Sequence, residues 1–277
     1  MTPDGLIATA SVRLGAAGIE WPRAEARLLL AHVLGGDRAA TLAGQVDTEQ
    51  QALFEALVAR RVAREPMAYI TGRREFWSLD FAVGPGVLVP RPDSETLIAE
   101  ALRLFAERQA PLALADLGTG SGALLIAALH EFSEAQGMGF EASPQAMAYA
   151  RANLAAHGLA ERAELHLANW NTAPESAFDL VLCNPPYIPS ADIGALEPEV
   201  RDHEPLAALD GGPDGLSAYR ELAKLLPRIL RPGGHAVLEI GVGQDAAMEP
   251  LLPPLEMLRI APDLAGIPRA LVLKKSK

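Results

Sequence analysis

The 277-residue chain holds a single cysteine, Cys183. It can form no intrachain disulfide, which fits a reducing compartment. Its six histidines, at 32, 130, 157, 166, 203 and 235, are scattered. None sits at ligand spacing from another histidine or from Cys183, so no metal is expected. The opening Met1-Thr2-Pro3-Asp4-Gly5 lacks the basic and apolar regions of a secretory signal. No apolar run approaches the ~18 residues that a membrane helix needs. Internal repeats and low-complexity tracts are missing too. Positive charge is in deficit: the net charge is −11. Non-specific nucleic-acid binding draws its affinity from phosphate neutralisation, which bulk charge of this sign cannot supply. These absences lead us to expect a cytoplasmic protein with no membrane and no direct nucleic-acid partner. Hydrophobic residues at 49% and charged residues at 21% suit a folded chain of one or two domains.

The first 71 residues read as a small helical domain. Glu25 to Leu34 is rich in Ala, Leu and Arg and is stopped by Gly35-Gly36. Thr48 with Gln51 matches a capping box. Leu53, Phe54, Leu57, Val58, Arg61 and Val62 follow as one helical face. Partner docking and a stabilising cap both suit this domain. Residues 72–90, with Phe76 to Val83 aromatic and β-branched before Gly84-Pro85-Gly86, read as a β-hairpin linker.

Residues 91–277 alternate strand and helix. Asp93 or Ser94 caps a helix to about Arg108, with Leu97, Ile98, Ala101, Leu102 and Phe105 on one face. Strands are expected at Leu112–Leu117, Gly137–Glu141, Ala163–Ala168, Phe178–Cys183 and His235–Ile240. Helices run to about Phe132, from Ser143-Pro144 to Gly158, and from Ser217 to Leu230. Arg231 to Gly234 is a turn, and Met257–Ile260 with Ala270–Leu273 forms an antiparallel pair. Such βα repetition implies a Rossmann-like α/β fold, a doubly wound parallel sheet whose ligand lies beyond the strands' carboxyl ends.

Asp116-Leu117-Gly118-Thr119-Gly120-Ser121-Gly122 joins the first of these strands to its helix. Its glycines permit a tight turn and close approach to a ligand. With Ala123 the run satisfies a dinucleotide fingerprint. It equally suits the loop of an S-adenosylmethionine methyltransferase. Glu141 ends the next strand, about 23 residues past Gly118, and can accept from both ribose hydroxyls of either cofactor.

Asn184-Pro185-Pro186-Tyr187 follows the Phe178–Cys183 strand, at the same edge of the sheet. Asn184 offers a carbonyl acceptor. Pro185 and Pro186 have no N–H and stiffen the loop, leaving their carbonyls to the pocket. Tyr187 offers a flat face. The set suits a planar –NH2 group whose two hydrogens are accepted, whose plane is stacked, and whose nitrogen is held toward a methyl donor. A nicotinamide enzyme would leave these four residues without a task.

These residues resemble the class I S-adenosylmethionine-dependent methyltransferases, and within them the protein-(glutamine-N5) methyltransferases that modify peptide chain release factors. The likeness covers nearly the whole chain. It includes Phe76-Trp77-Ser78-Leu79, Pro90-Arg91-Pro92-Asp93-Ser94-Glu95, the glycine and Asn-Pro-Pro-Tyr loops, Glu204-Pro205, Ala208-Leu209, Gly211-Gly212 and Asp214-Gly215-Leu216. It implies a seven-stranded sheet and methyl transfer to the glutamine of a Gly-Gly-Gln loop in translation termination, leaving S-adenosylhomocysteine. It implies that Gly118, Thr119, Gly120, Ser121 and Gly122 wrap the cofactor, with Glu141 on the ribose and Asn169 and Trp170 by the adenine. Asn184 to Tyr187 would bind the glutamine amide, with Asn184 also facing the cofactor, and the helical domain would help recognise the release factor. A monomer is expected.

Glu141 and Asn169 stand where the family often has aspartate. The alternative function is an adenine-N6 nucleic-acid methyltransferase built on the same Asn-Pro-Pro-Tyr loop. Cys183 is expected to be a buried structural thiol. Trp21 and Trp77 are expected in packing. Asp116 could orient the glycine loop or touch the cofactor. Arg91 and Glu95 could form a pocket wall or pair with a helix terminus. His203 and Glu204 fit a substrate wall or a surface turn.

Overall fold

The computed structural model describes residues 2–35, 45–252 and 255–277. Gly36, half of the expected glycine stop, lies outside them. The chain divides into two compact units.

The first unit takes the chain up to Arg73 and adds Glu197–His203 from far downstream. Helix α1 (Pro3–Ala16) starts on Thr2, whose hydroxyl accepts from the Gly5 N–H, with Pro3 at the first helical position. Helix α2 (Pro22–Val33) follows. Helix α3 (Thr48–Val62) carries the expected capping box one residue earlier. Asp47 accepts from the Gln50 N–H at 2.8 Å and Gln50 returns the bond at 3.1 Å. Helix α4 (Met67–Thr71) ends on Gly72 in the left-handed region. Leu6, Leu14, Leu29, Leu30, Phe54 and Val58 close the core. Leu53, expected on the buried face, is exposed. Trp21 is 68% exposed, so it does not pack as expected.

Arg61 is buried in this unit. Its guanidinium donates to Glu25 at 2.5 Å and to Glu199 of the downstream segment at 2.7 Å. Arg64 donates to the other Glu199 oxygen at 2.7 Å. Helix α5 (Pro198–Arg201) of that segment is thus bound into the unit by charge.

The second unit is residues 74–196 and 204–277. The hairpin β1 (Arg73–Phe76) and β2 (Leu79–Ala82) turns through Trp77 (φ 53°) and Ser78 (φ 59°). Two left-handed residues in a two-residue hairpin loop usually call for Asn-Gly. Here the strain is held by carboxylates: Glu95 accepts from the Trp77 N–H at 2.8 Å and Glu131 from its indole N–H at 2.7 Å.

Helix α6 (Glu95–Leu104) then leads into β3 (Ala113–Leu117), α7 (Ala123–Glu131), β4 (Gln136–Glu141), α8 (Pro144–Ala156), β5 (Ala163–Leu167) and β6 (Phe178–Cys183). After these come α9 (Ser217–Ile229), β7 (Leu230–Glu239), α10 (Asp245–Leu251), β8 (Glu256–Pro262) and β9 (Pro268–Lys274). The seven strands order as β5-β4-β3-β6-β7-β9-β8. The first five pair in parallel, and β9 runs antiparallel to both β7 and β8. This is the expected Rossmann-like methyltransferase sheet.

The largest departures from expectation are at two boundaries. Helix α6 stops at Leu104 rather than near Arg108, because Phe105 turns extended. Strand β7 starts at Leu230, so Arg231 to Gly234 forms a bulge inside the strand, where the register jumps from Phe178–Leu230 to Leu180–His235.

Removing one member of a buried ion pair strands the others, at about 3–5 kcal/mol. Arg61→Ala is therefore expected to destabilise the helical unit by that order. The check is amide-exchange protection in α1, α2 and α3, which should fall while that of β3 and β6 holds.

Candidate active site

Parallel register sets the site. Phe140, Leu117, Cys183 and Leu238 align across β4, β3, β6 and β7. The next residue on each strand or just past its end is Glu141, Gly118, Asn184 and Glu239. These four therefore form a row along the carboxyl edge, at the point where strand order reverses on either side of β3. Open α/β sheets bind ligands there.

The glycine loop takes Gly118, Gly120 and Gly122 through φ of 77°, 57° and 86°. A Cβ on Gly118 would lie 3.5 Å from the Trp170 ring. One on Gly122 would press Ile126 at 3.0 Å. Gly118 thus keeps a slot open against the indole, and Gly122 leaves room for the Ile126 side chain of the helix it caps. Glu141 pins the loop: its Oε2 accepts from the Gly120 N–H at 2.8 Å and its Oε1 from the Ser143 N–H at 2.7 Å.

A cavity of about 390 Å³ opens above this edge. Gly118, Thr119, Gly120, Ser121, Glu141, Asn169, Trp170, Asn184 and Pro186 all line it. Gly122, Pro185 and Tyr187 do not. Gly122 faces Ile126 and Ala150, and Pro185 is buried. The Tyr187 phenol donates to Glu239 at 3.0 Å, which fixes the position of the ring. Asn169 spends its carbonyl on the Asn171 N–H at 2.9 Å, and the Trp170 N–H reaches Glu221 at 3.2 Å.

The remaining candidates separate clearly. Arg91 lines the cavity and donates to Glu204 at 2.7 Å, whose other oxygen accepts from the Val89 N–H. Glu95 instead holds the hairpin turn, as above. His203 belongs to the segment of the helical unit. The buried Cys183 thiol donates to the Leu117 carbonyl at 3.0 Å, and burial pushes its pKa up, so it is structural. No cluster of possible metal ligands occurs among the described residues.

Sequence reasoning passed over Asn153 and Glu239. Asn153, on α8, donates to the Ala82 and Ser121 carbonyls and accepts from the Ala82 N–H. It ties the hairpin to the glycine loop, but a lone asparagine inside a helix carries no local signal. Glu239 did carry one: a carboxylate closing the apolar run Ala236-Val237-Leu238.

Residues 5–72 match the family described as PrmC N-terminal domain, and residues 111–253 the family described as Methyltransferase domain. A release factor glutamine methyltransferase of Caulobacter vibrioides is 46% identical over 243 residues, 86% of this chain and 84% of that protein. One of Bradyrhizobium diazoefficiens is 44% identical over 275 residues, 96% and 93% of the two chains. The chain belongs to the release factor glutamine methyltransferase family. The ribosomal protein L11 methylase structure from Lactobacillus delbrueckii subsp. bulgaricus shares the fold, with a TM-score of 0.51 and 19% identity over 70% of this chain and 84% of that one. In this family member the strand ends and the two loops are the ones the register brings together.

One buried group at the site is left alone. Both Asp116 carboxyl oxygens are buried, and neither makes a hydrogen bond of full geometry; the Leu125 N–H at the start of α7 is the polar group beside them. Burial pushes this carboxyl up to about 7, with the Glu141 charge adding to the effect and the Leu125 N–H opposing it. Its contact with the loop is through the backbone, where its carbonyl accepts from the Thr119 hydroxyl at 3.0 Å. Unfolded, the carboxyl ionises near 4. The raised folded value favours folding at low pH, and this contribution is lost as pH rises through 7. Asp116→Asn should remove the loss. Between pH 5 and 8 the variant is expected to gain about 2–3 kcal/mol on the wild type in urea unfolding. A constant difference would show that Asp116 is ionised throughout.

Proposed function

We propose that the chain transfers the methyl group of S-adenosylmethionine to the N5 amide nitrogen of the glutamine in the Gly-Gly-Gln motif of peptide chain release factors, leaving S-adenosylhomocysteine. The observation that carries this reading is the adjacency of Gly118 and Asn184 in one register row. It sets an amide-binding side chain beside a glycine cradle.

The residues fit the cofactor. The slot that a Cβ on Gly118 would fill lies against the Trp170 ring. Gly118 to Gly122 supply close backbone approach, and Glu141 lines the cavity with a carboxylate that can accept from a ribose while holding Gly120. Bound there, S-adenosylmethionine supplies an electrophilic methyl group on a sulfonium. Asn169 and Asn184 both line the cavity, and would hold the adenine and face the reacting group respectively.

The protein's own task is to hold a poor nucleophile. An amide nitrogen shares its lone pair with its carbonyl. Asn184 Oδ1 and a proline carbonyl of the loop accept the two N–H hydrogens and fix the nitrogen's position. Proximity of this kind is worth about 7–11 kcal/mol in favourable cases. The same acceptors bind more strongly as the nitrogen gains positive charge, which lowers the barrier rather than only the substrate's energy. No strong base is needed, because the proton is acidic once the methyl has transferred. We read residues 1–71 as the part that recognises the release factor, 72–90 as the linker and 91–277 as the transferase, acting as a monomer in the cytoplasm without binding nucleic acid.

Glu141→Ala removes a charged acceptor, a loss of about 1.5–3 kcal/mol. It is expected to weaken S-adenosylmethionine binding roughly 10- to 150-fold in calorimetry. The function itself is tested with labelled S-adenosylmethionine and three acceptors: a release factor, that factor with its Gly-Gly-Gln glutamine changed to alanine, and duplex DNA. Label should appear on the unaltered factor alone. Label on DNA with both proteins blank would replace the reading with adenine-N6 methylation.

A further inference from the structure

We infer that Ser94 and Glu239 are positioning residues that fix which end of the Asn184 amide faces the substrate, and thereby select an –NH2 group over an oxygen. The inference rests on the function proposed above and concerns how the same site discriminates.

An asparagine amide has two faces of similar shape and opposite polarity. Either could point into the cavity, and only one suits an incoming amide nitrogen. The choice is made two residues away. Glu239 is buried at the end of β7, next to Asn184 in the register row. An ionised carboxylate can only accept. Its Oε2 takes the Ser94 hydroxyl proton at 2.5 Å and its Oε1 the Tyr187 hydroxyl proton at 3.0 Å. Ser94, itself buried, has then spent its one proton. Its oxygen can only accept, and it accepts from Asn184 Nδ2 at 3.1 Å. Asn184 Oδ1 is left as the acceptor for the substrate. A flipped Asn184 would set Oδ1 against lone pairs on Ser94, and would turn N–H donors toward an incoming N–H. Such a site would favour the carboxylate of glutamate.

The relay keeps its direction while Glu239 is charged. Arg269 on β9, paired with Asp93 and Asp263, supports that charge, as do the Ser94 and Tyr187 hydrogen bonds. Burial, first, and the Asp93 charge oppose it, so this carboxyl protonates above the usual carboxylate range. The other groups packed around it are Cys183 on β6 and Tyr219 on α9, whose hydroxyl donates to the Glu239 carbonyl at 2.8 Å. Once protonated, Glu239 can donate to Ser94, and the fixed polarity is gone.

The test uses the full chain, a purified release factor and labelled S-adenosylmethionine, with Ser94→Ala, Ser94→Thr and Glu239→Gln. Ser94→Ala and Glu239→Gln are expected to lower kcat/KM for the factor roughly 10- to 100-fold, with cofactor affinity within about two-fold of wild type. Ser94→Thr, which keeps the hydroxyl, should restore most of the loss. The wild type should lose kcat on acidification through a limb that Glu239→Gln lacks. A release factor carrying glutamate in place of the target glutamine should compete weakly against the wild type. Against Glu239→Gln it should compete at least ten-fold better relative to the glutamine form. Should Glu239→Gln fail to fold, the Ser94 pair decides, with the same competition run on Ser94→Ala, where the glutamate form should also gain at least ten-fold relative to the glutamine form. Unchanged kcat/KM and unchanged competition in Ser94→Ala would overturn the relay. So would a loss of cofactor binding that parallels the loss of activity and is not restored by Ser94→Thr. A wild type that labels no release factor would overturn the proposed function, and this inference with it.

Discussion

The hydrogen-bonded register of four parallel strands is the constraint on which the site depends. It aligns Phe140, Leu117, Cys183 and Leu238, and so places Glu141, Gly118, Asn184 and Glu239 one step on in a single row. A slip of one residue would turn every side chain of a strand to the other face. The apolar content of these strands prevents that: β6 is buried from Phe178 to Cys183 except at Asp179. The core therefore does two jobs. It stabilises the sheet, and it fixes the relative positions of four residues that come from well-separated stretches of chain.

Around that row, polar groups are buried in connected sets. Glu141 joins β4 to the glycine loop, Asn153 joins the loop to the hairpin, and Glu239 joins the loop after β6 to the entrance of α6 through Ser94. Each bond satisfies a group whose burial alone would cost free energy. Each also removes an alternative placement of a loop that must hold its shape. Asp116 is the exception, since neither of its buried carboxyl oxygens makes a hydrogen bond of full geometry. Such a group lowers stability when charged, and its place under the glycine loop marks a site where stability and ligand geometry compete.

Much of this was legible in the residues. Period-two and period-3.6 patterns located the strands and helices to within a few positions. Glycine and proline punctuation located the loops, with Ser143-Pro144 opening its helix as expected. Competition between neighbours of equal merit moved the α3 cap from Thr48 to Asp47, because both can accept from a helix N-terminus. Long-range partners were out of reach. Arg61 reads locally as a polar residue on an apolar face, and only Glu25 and Glu199, both remote in sequence, explain its burial. Tyr187 illustrates the same limit at the site. Its aromatic face was readable, but its commitment to Glu239 depends on which strand lies beside β6.

The segment Glu197–His203 shows how function can shape a boundary. It lies between the Asn-Pro-Pro-Tyr loop and Glu204, both in the sheet unit, yet it folds with the helices. A well-packed apolar contact could hold it there at equal or better stability than buried charge. Charge adds a demand for one partner geometry: Glu199 meets both Arg61 and Arg64, one through each carboxylate oxygen. An apolar patch would tolerate sliding by a turn. The chain thus leaves the active loop toward a specified anchor and returns to place Glu204 against Arg91 at the cavity wall. At this segment buried charge contributes specified geometry rather than maximal stability.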